Sequence, residues 1–396
     1  MISGFIRKVV VLSLFSFFLT SAAVLAQSYP APKISLSPEK GFWIESDDGF
    51  MGLKLGFRLQ QQLLLTQNIE DSESLNSEFL IRRGRVLFKG YLFDKKLDYF
   101  IQLGMDRGNV TLLNAEYRWK PDKYTKISIG QFFPPASRQF QTVSKKLQMV
   151  DRSNVTRFYF TDYDLGIALR RSIPLAKDFA FKIASSITHG EGKNISTAPG
   201  GWAYTGRFEV LPFGLFNAYG DYSESDLFRE PTPKLSIGTA WYFNKDAYTK
   251  YGDDSWMGLS DDISEYYLDA VFKYNGISVL AEYIHRTTEN ERLQTSVDTE
   301  IFSKKVSGEG FYIQGGKFIT KTIEPTFRIS ILNPDDANQG SVNRFTRQVK
   351  YAIGFNNFIV GHSIKFQTQV GVINEDFQNR DSETYIEFLS QFTISL

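Results

Sequence analysis

Cysteine is absent from the 396 residues. The chain therefore has no disulfide staples and no thiolate metal ligands, and its stability must come from size and hydrogen bonding. Histidine is scarce: His189, His285 and His362 lie on distant segments and make no metal-ligand spacing. Acyl chemistry needs a serine held within hydrogen-bond reach of a histidine. Ser185 and Ser186 near His189 are the sole local hint, so no enzyme, metal or cofactor is expected. After the first 26 residues no apolar run is long enough for a membrane-spanning helix, and mean hydropathy is -0.24. A surplus of one charge is missing too, with 45 Lys and Arg against 44 Asp and Glu. Net charge selects no partner; only its placement can. Basic residues do interleave with aromatics, but on opposite faces of extended segments, so no nucleic-acid partner is expected.

What is present begins with an address. Arg7 and Lys8 precede the apolar run VVVLSLFSFFL and the small-residue stretch SAAVLA. That order predicts a secretory signal peptide over residues 1–26. Residues 27–49 carry Pro and Lys with little periodicity and read as a short periplasmic lead-in. From residue 50 to residue 396 the chain is aromatic-rich, with 35 Phe and 20 Tyr overall.

That long region alternates with period two. GLKLGFRLQQQL sets Leu53, Leu55, Phe57 and Leu59 against Lys54, Arg58, Gln60 and Gln62; TLLNAEYRWK sets Leu113, Ala115, Tyr117 and Trp119 against Asn114, Glu116, Arg118 and Lys120. Such segments predict strands, and sixteen of them follow from 50–64 to 383–396. Long connections at 65–77, 134–162, 189–201, 245–263, 288–308, 334–346 and 374–382 alternate with short ones such as FDK at 93–95 and NG at 275–276; 107–109 and 212–234 break the pattern. Short turns at one mouth and long loops at the other are the habit of outer-membrane barrels. In hydrocarbon every backbone donor and acceptor needs a partner, so the sheet must close. The reading is all-β: a 16-stranded antiparallel transmembrane β-barrel of a Gram-negative outer membrane, in contact with lipid and lipopolysaccharide. Phe79, Trp119, Tyr124, Trp202, Tyr204, Trp241, Tyr242, Tyr274 and Tyr351, near strand ends, would form its interfacial girdles.

A ring of that size encloses water instead of a packed core. In FLIRRGRVLFKG, Arg83, Arg85 and Lys89 then look into the pore while Val86 and Phe88 meet lipid; Arg82 has the lipid parity, fit for head groups or a subunit contact. By the same parity the lumen receives Lys54, Arg58, Arg83, Arg85, Lys89, Arg118, Lys120, Lys126, Arg170, Lys182, Arg207, Lys273, Arg328, Lys350 and Lys365. Against these stand Asp98, Glu116, Glu209, Asp269, Glu282 and Glu387. Rings of Arg and Lys are how anion pores select. The third external connection, counting the short 107–109, adds over 134–160 Arg138, Lys145, Lys146, Arg152 and Arg157 against Asp151 alone. An arginine fork suits phosphate because it bonds two oxygens at once.

Five stretches resemble the family of phosphate-selective porins O and P: GFWIESDDGFMGLKLGFRLQ, FLIRRGRVLFKG, ISIGQFFPP, DYDLG and GFYIQGGKFI. The resemblance implies a trimeric anion channel whose third external loop folds inward to form the constriction. It also implies an arginine ladder, carried here onto Arg58, Arg83 and Arg85, with Arg138, Lys145, Lys146, Arg152 and Arg157 at the constriction. The expected function is passive diffusion of small, phosphate-like anions. The alternatives are a weakly selective general porin and a barrel that only anchors a surface protein.

Overall fold

The computed structural model describes residues 31–37, 41–71, 74–106, 108–195, 200–251, 255–289, 306–335, 345–378 and 380–396. The expected signal peptide lies outside these residues, as do parts of the long connections. Two short strands, β1 (Lys33–Ser37) and β2 (Gly41–Glu45), precede sixteen long ones. These are β3 (Met51–Asn68), β4 (Asn76–Leu92), β5 (Asp94–Asp106), β6 (Asn109–Trp119), β7 (Thr125–Phe132), β8 (Asp164–Ala176), β9 (Phe179–Thr188) and β10 (Ala203–Leu211). The second half adds β11 (Lys234–Tyr251), β12 (Ser255–Tyr274), β13 (Ile277–Thr288), β14 (Gly308–Lys317), β15 (Ile323–Pro334), β16 (Phe345–Val360), β17 (Ile364–Phe377) and β18 (Glu383–Ser395). Each pairs antiparallel with the next, and β18 closes on β3 from Tyr385↔Asn68 to Ser395↔Arg58. The ring leaves no open edge, as a strand structure in hydrocarbon requires.

Alternation along the strands sorts the two faces. On β15, Phe327 and Ile329 are 43% and 38% exposed on the outside, while Arg328 and Ser330 are buried inside. The outer face carries an apolar belt with Trp119, Trp202, Tyr204, Trp241, Tyr274 and Tyr351 exposed on it. Tyr242 departs from the expected girdle: it is buried and faces the interior cavity.

Three features depart from the sequence reading. Within the expected lead-in, two stretches without clear periodicity are strands: β1 pairs with β2, and β2 continues the sheet along β3 from Phe42↔Leu55 to Glu45↔Gly52. There β2 occupies the lane beside β3 that β18 leaves vacant below Arg58. The connection expected at 245–263 is largely strand, since β11 and β12 run to 18 and 20 residues. And two bulges shift the inside–outside parity. The pairing of β3 with β4 jumps from Gln60↔Arg83 to Gln61↔Ile81, so Arg82 is the extra residue and turns inward beside Arg83. The pairing of β5 with β6 jumps from Gln102↔Asn114 to Leu103↔Leu112, which turns Leu113 inward. A bulge re-aims a side chain without breaking the sheet.

Gly130 is needed where β6 and β7 pair. Its φ is 128°, and a Cβ there would lie 2.1 Å from the Ala115 carbonyl oxygen. Gly130→Val should lower the thermal stability of the folded barrel, read as its heat-dependent shift on gels, by about 1–3 kcal/mol. Gly206→Ala, with nothing within 4 Å of the new Cβ, is the control expected to match the wild type.

Candidate functional site

The interior is polar and two chain segments enter it. Between β7 and β8, residues 133–163 form helix α1 (Arg138–Gln141), a 3-10 turn (Ser144–Lys146) and helix α2 (Asn154–Phe158). Each short helix is capped by a serine: Ser137 Oγ accepts from Phe140 N at 3.3 Å and Ser153 Oγ from Val155 N at 3.2 Å. The second segment, 212–233, joins β10 to β11 and enters from the opposite mouth, with a 3-10 stretch at Asn217–Tyr222.

Polar backbone inside a barrel needs fixed partners, and the wall of β10 to β17 supplies them. Arg138 Nη2 meets Glu209 Oε2 at 3.0 Å, and its Nε meets Asp269. Arg207 completes the cluster, with Nε 2.8 Å from Glu209 Oε1 and Nη1 2.8 Å from Asp269 Oδ2. The Arg138 backbone N–H donates to Glu282 Oε1 at 2.7 Å. Other wall side chains cap carbonyls: Lys365 donates to Leu147 O at 2.7 Å, Arg328 to Asp151 O at 2.9 Å and Lys273 to Ser223 O at 2.6 Å. The two segments also hold each other, for Glu224 accepts from Gln139 Nε2 at 2.9 Å and from Gln148 N at 2.7 Å.

The passage is therefore off-centre. A water-accessible cavity of about 1540 Å³ remains, lined by Lys54, Arg58, Arg85, Lys89, Arg118, Lys126 and Arg170 of β3 to β8 and by Lys145, Lys146, Arg152 and Arg157 of the first inward segment. Some of these cations are neutralised: Arg85 pairs with Asp106, and Arg118 and Lys120 pair with Asp98. Others have only neutral partners. Arg58 Nη1 donates to Ser144 Oγ at 2.8 Å, Lys145 Nζ to Ser395 Oγ at 3.1 Å, and Lys89 Nζ lies 4.7 Å from the centre of the Phe100 ring. Lys54 stands opposite Lys89 in the β3–β4 register. Among the described residues no carboxylate comes within 4.0 Å of Lys54, Arg58, Lys89 or Lys145. Burial, then the charges of Arg58 and Lys89, pull the Lys145 ammonium down to about 8.

Ten of the lumen and loop cations expected from sequence, taken as the candidate anion site, thus divide. Arg58, Lys89, Lys145 and Lys146 reach the cavity with no carboxylate within 4.0 Å among the described residues. Arg85 and Arg118 reach it while paired with carboxylates. Arg157 is exposed to it, and Arg152 lines it while donating to Thr142 O at 2.9 Å. Arg83 also borders it but is drawn to Asp151 Oδ1 at 2.6 Å. Arg138 is a correction: it is 1% exposed and fully bonded to the wall, so it anchors the segment and is not open to a solute. Arg82, expected toward lipid, joins Arg83 on Asp151 with Nε 3.0 Å from Oδ2. Burial acts to raise the Asp151 carboxyl, and Arg82 and Arg83 overcome it, holding it well below the usual range. A bulge has no parity signature in the sequence, and the adjacent Arg82-Arg83-Gly84 was its only trace.

No protein-family model matches the chain, and no curated protein matches it by sequence. Solved structures do match in fold. The chain is similar to an anion-selective porin from Comamonas acidovorans, with TM-score 0.60 and 8% identity over 87% of this chain and 100% of that one. It is similar to OprB of Pseudomonas putida, with TM-score 0.57 and 8% identity over 87% and 94%. The outer membrane channel DcaP of Acinetobacter baumannii aligns with TM-score 0.53 and 11% identity over 88% and 99%. At such identities the likeness establishes the fold alone: a closed sixteen-strand antiparallel barrel.

Removing one member of a buried charge cluster leaves its partners unpaired, at about 3–5 kcal/mol. Arg138→Met should therefore lower the unfolding temperature sharply and raise single-channel conductance as the segment loosens. Lys145→Met, which removes a charge with no acidic partner within 4.0 Å among the described residues, should not lower stability. Wild-type stability and conductance in Arg138→Met would show that the cluster is not the anchor.

Proposed function

We propose that the protein is a passive diffusion channel of a Gram-negative outer membrane that favours small anions, phosphate-like ones among them. The observation that carries this reading is the group Lys54, Arg58, Lys89 and Lys145, which face one water-accessible cavity with no carboxylate within 4.0 Å among the described residues. Fixed charge along a low-dielectric wall is focused into the passage instead of being screened, and rings of Lys and Arg select anions. The segment 133–163 narrows the pore and brings Lys145 and Lys146 to it, so it serves as the constriction. The stretches resembling the phosphate-selective porins O and P support the same reading, and a homotrimer belongs with it. A weakly selective general porin is the competing reading, because Asp106, Glu116, Asp151 and Asp162 also line the cavity.

Reconstituted in a planar bilayer under a potassium chloride gradient, the channel should give an anion-preferring reversal potential. A cation-preferring potential would sink the proposal. Low concentrations of phosphate should block the chloride current, and Lys89→Gln with Lys145→Gln should relieve the block. Unchanged block in that double variant would reject these lysines as the site.

The pH dependence has a definite sign. Lys145 is charged below about 8 and neutral above it, so anion preference should be full at pH 6 and fall as pH rises through 8. Sulfate, whose charge is constant over this range, is the suitable probe. Lys145→Arg, charged throughout, should flatten the profile; a profile unchanged by that variant would rule Lys145 out.

A further inference from the structure

The cavity has a second wall that the anion reading does not use. Phe133, Phe140, Phe160 and Tyr163, all from the first inward segment, line it together. Ring centres of Phe133 and Tyr163 lie 3.7 Å apart with planes inclined by 30°, Phe140 and Phe160 lie 4.7 Å apart, and Phe133 joins the pairs at 5.6 Å from Phe140. Phe133, Phe160 and Tyr163 are only half-buried. Rings needed solely to hold the segment would be covered by it, as Tyr159 is at 0% exposure.

The shelf adjoins cations. The Arg152 guanidinium carbon lies 5.0 Å from the centre of the Phe140 ring, and Arg58 and Arg85 border the same cavity. Among the described residues the Tyr163 hydroxyl has no hydrogen-bond partner, which leaves it available to a solute. Of the nearby acids, Asp106 is held by Arg85, and Asp162 by Lys193 at 2.8 Å.

Resting on the anion reading, we propose that this cavity binds organic anions with a flat apolar body, aryl carboxylates above all. The ring of the solute lies on the Phe133–Phe160–Tyr163 shelf while its carboxylate faces Arg58 and Arg152. Inorganic anions use the cationic side alone. Offset or edge-on ring contacts add affinity beyond charge, whereas an aliphatic acid of the same charge gains none of it.

The test compares benzoate with acetate as blockers of chloride current through the wild-type channel. Each carries one carboxylate, so charge cancels from the comparison. Benzoate should reach half-block at a concentration about threefold to tenfold lower than acetate, the range that one aromatic contact supports. Phe160→Leu, which keeps apolar volume, should bring benzoate toward acetate and leave block by phosphate unchanged. Tyr163→Phe should weaken benzoate less, since it keeps the ring. An anion-selective channel that does not distinguish benzoate from acetate overturns the shelf and leaves the anion reading standing. A cation-selective channel overturns both.

Discussion

Four buried charges organise the interior. Arg138 and Arg207 against Glu209 and Asp269 join the segment 133–163 to the wall at β10 and β12. A sixteen-strand ring is too wide for its own side chains to fill, so something else must occupy the lumen or it stays fully open. An apolar plug would need an apolar inner wall, and alternation has already given apolar residues to lipid. A polar plug needs pairing strong enough to repay the removal of its charges from water, and balanced clusters with added hydrogen bonds meet that condition. Here each arginine touches both carboxylates, and Tyr222 donates to Glu209 as well.

This clamp decides which lumen cations remain available. On one side of the ring Arg207, Lys273, Arg328 and Lys365 are all committed to the two inward segments. On the other side β3 and β4 face open cavity, and Lys54, Arg58 and Lys89 line it with no ion pair among the described residues. Fifteen inward cations counted along the chain were therefore never fifteen selectivity elements. The off-centre passage follows from where the segment is anchored, and the aromatic shelf follows from which face that segment turns away from its anchor.

Period-two alternation made the strands legible, because a one-residue error would move every side chain to the wrong face. All sixteen strands fall within a few residues of expectation apart from the extended β11 and β12. What alternation cannot carry is an extra residue: Arg82 and Leu113 took the wrong face because each sits at a bulge. Nor does it carry tertiary pairing. Arg138 and Lys145 look alike in a basic loop, yet one meets Asp269, 131 positions away, and the other meets Ser395 Oγ. Distances of that kind in sequence are set by closure of the ring, which local pattern does not encode. The segment 212–233 stood out only by its length, and its inward course rests on buried Glu224, which accepts from Gln314 Nε2 of β14, and buried Asp226, which accepts from Gly276 N in the turn after β12.

A cluster of unpaired cations needs its own account, because it costs folding energy. Two like charges at 4 Å repel by about 1 kcal/mol in water and about 4 kcal/mol near a protein surface. Among the described residues Lys54, Arg58, Lys89 and Lys145 have no carboxylate within 4.0 Å, whereas Asp106 and Asp98 form ion pairs with Arg85, Arg118 and Lys120 close by. A fold selected for stability alone would place acids beside both groups. The difference makes sense for a passage that ions must leave as readily as they enter: a solute anion in transit supplies the missing charge, and neutral partners such as Ser144 and Ser395 hold the cations in place without competing for it.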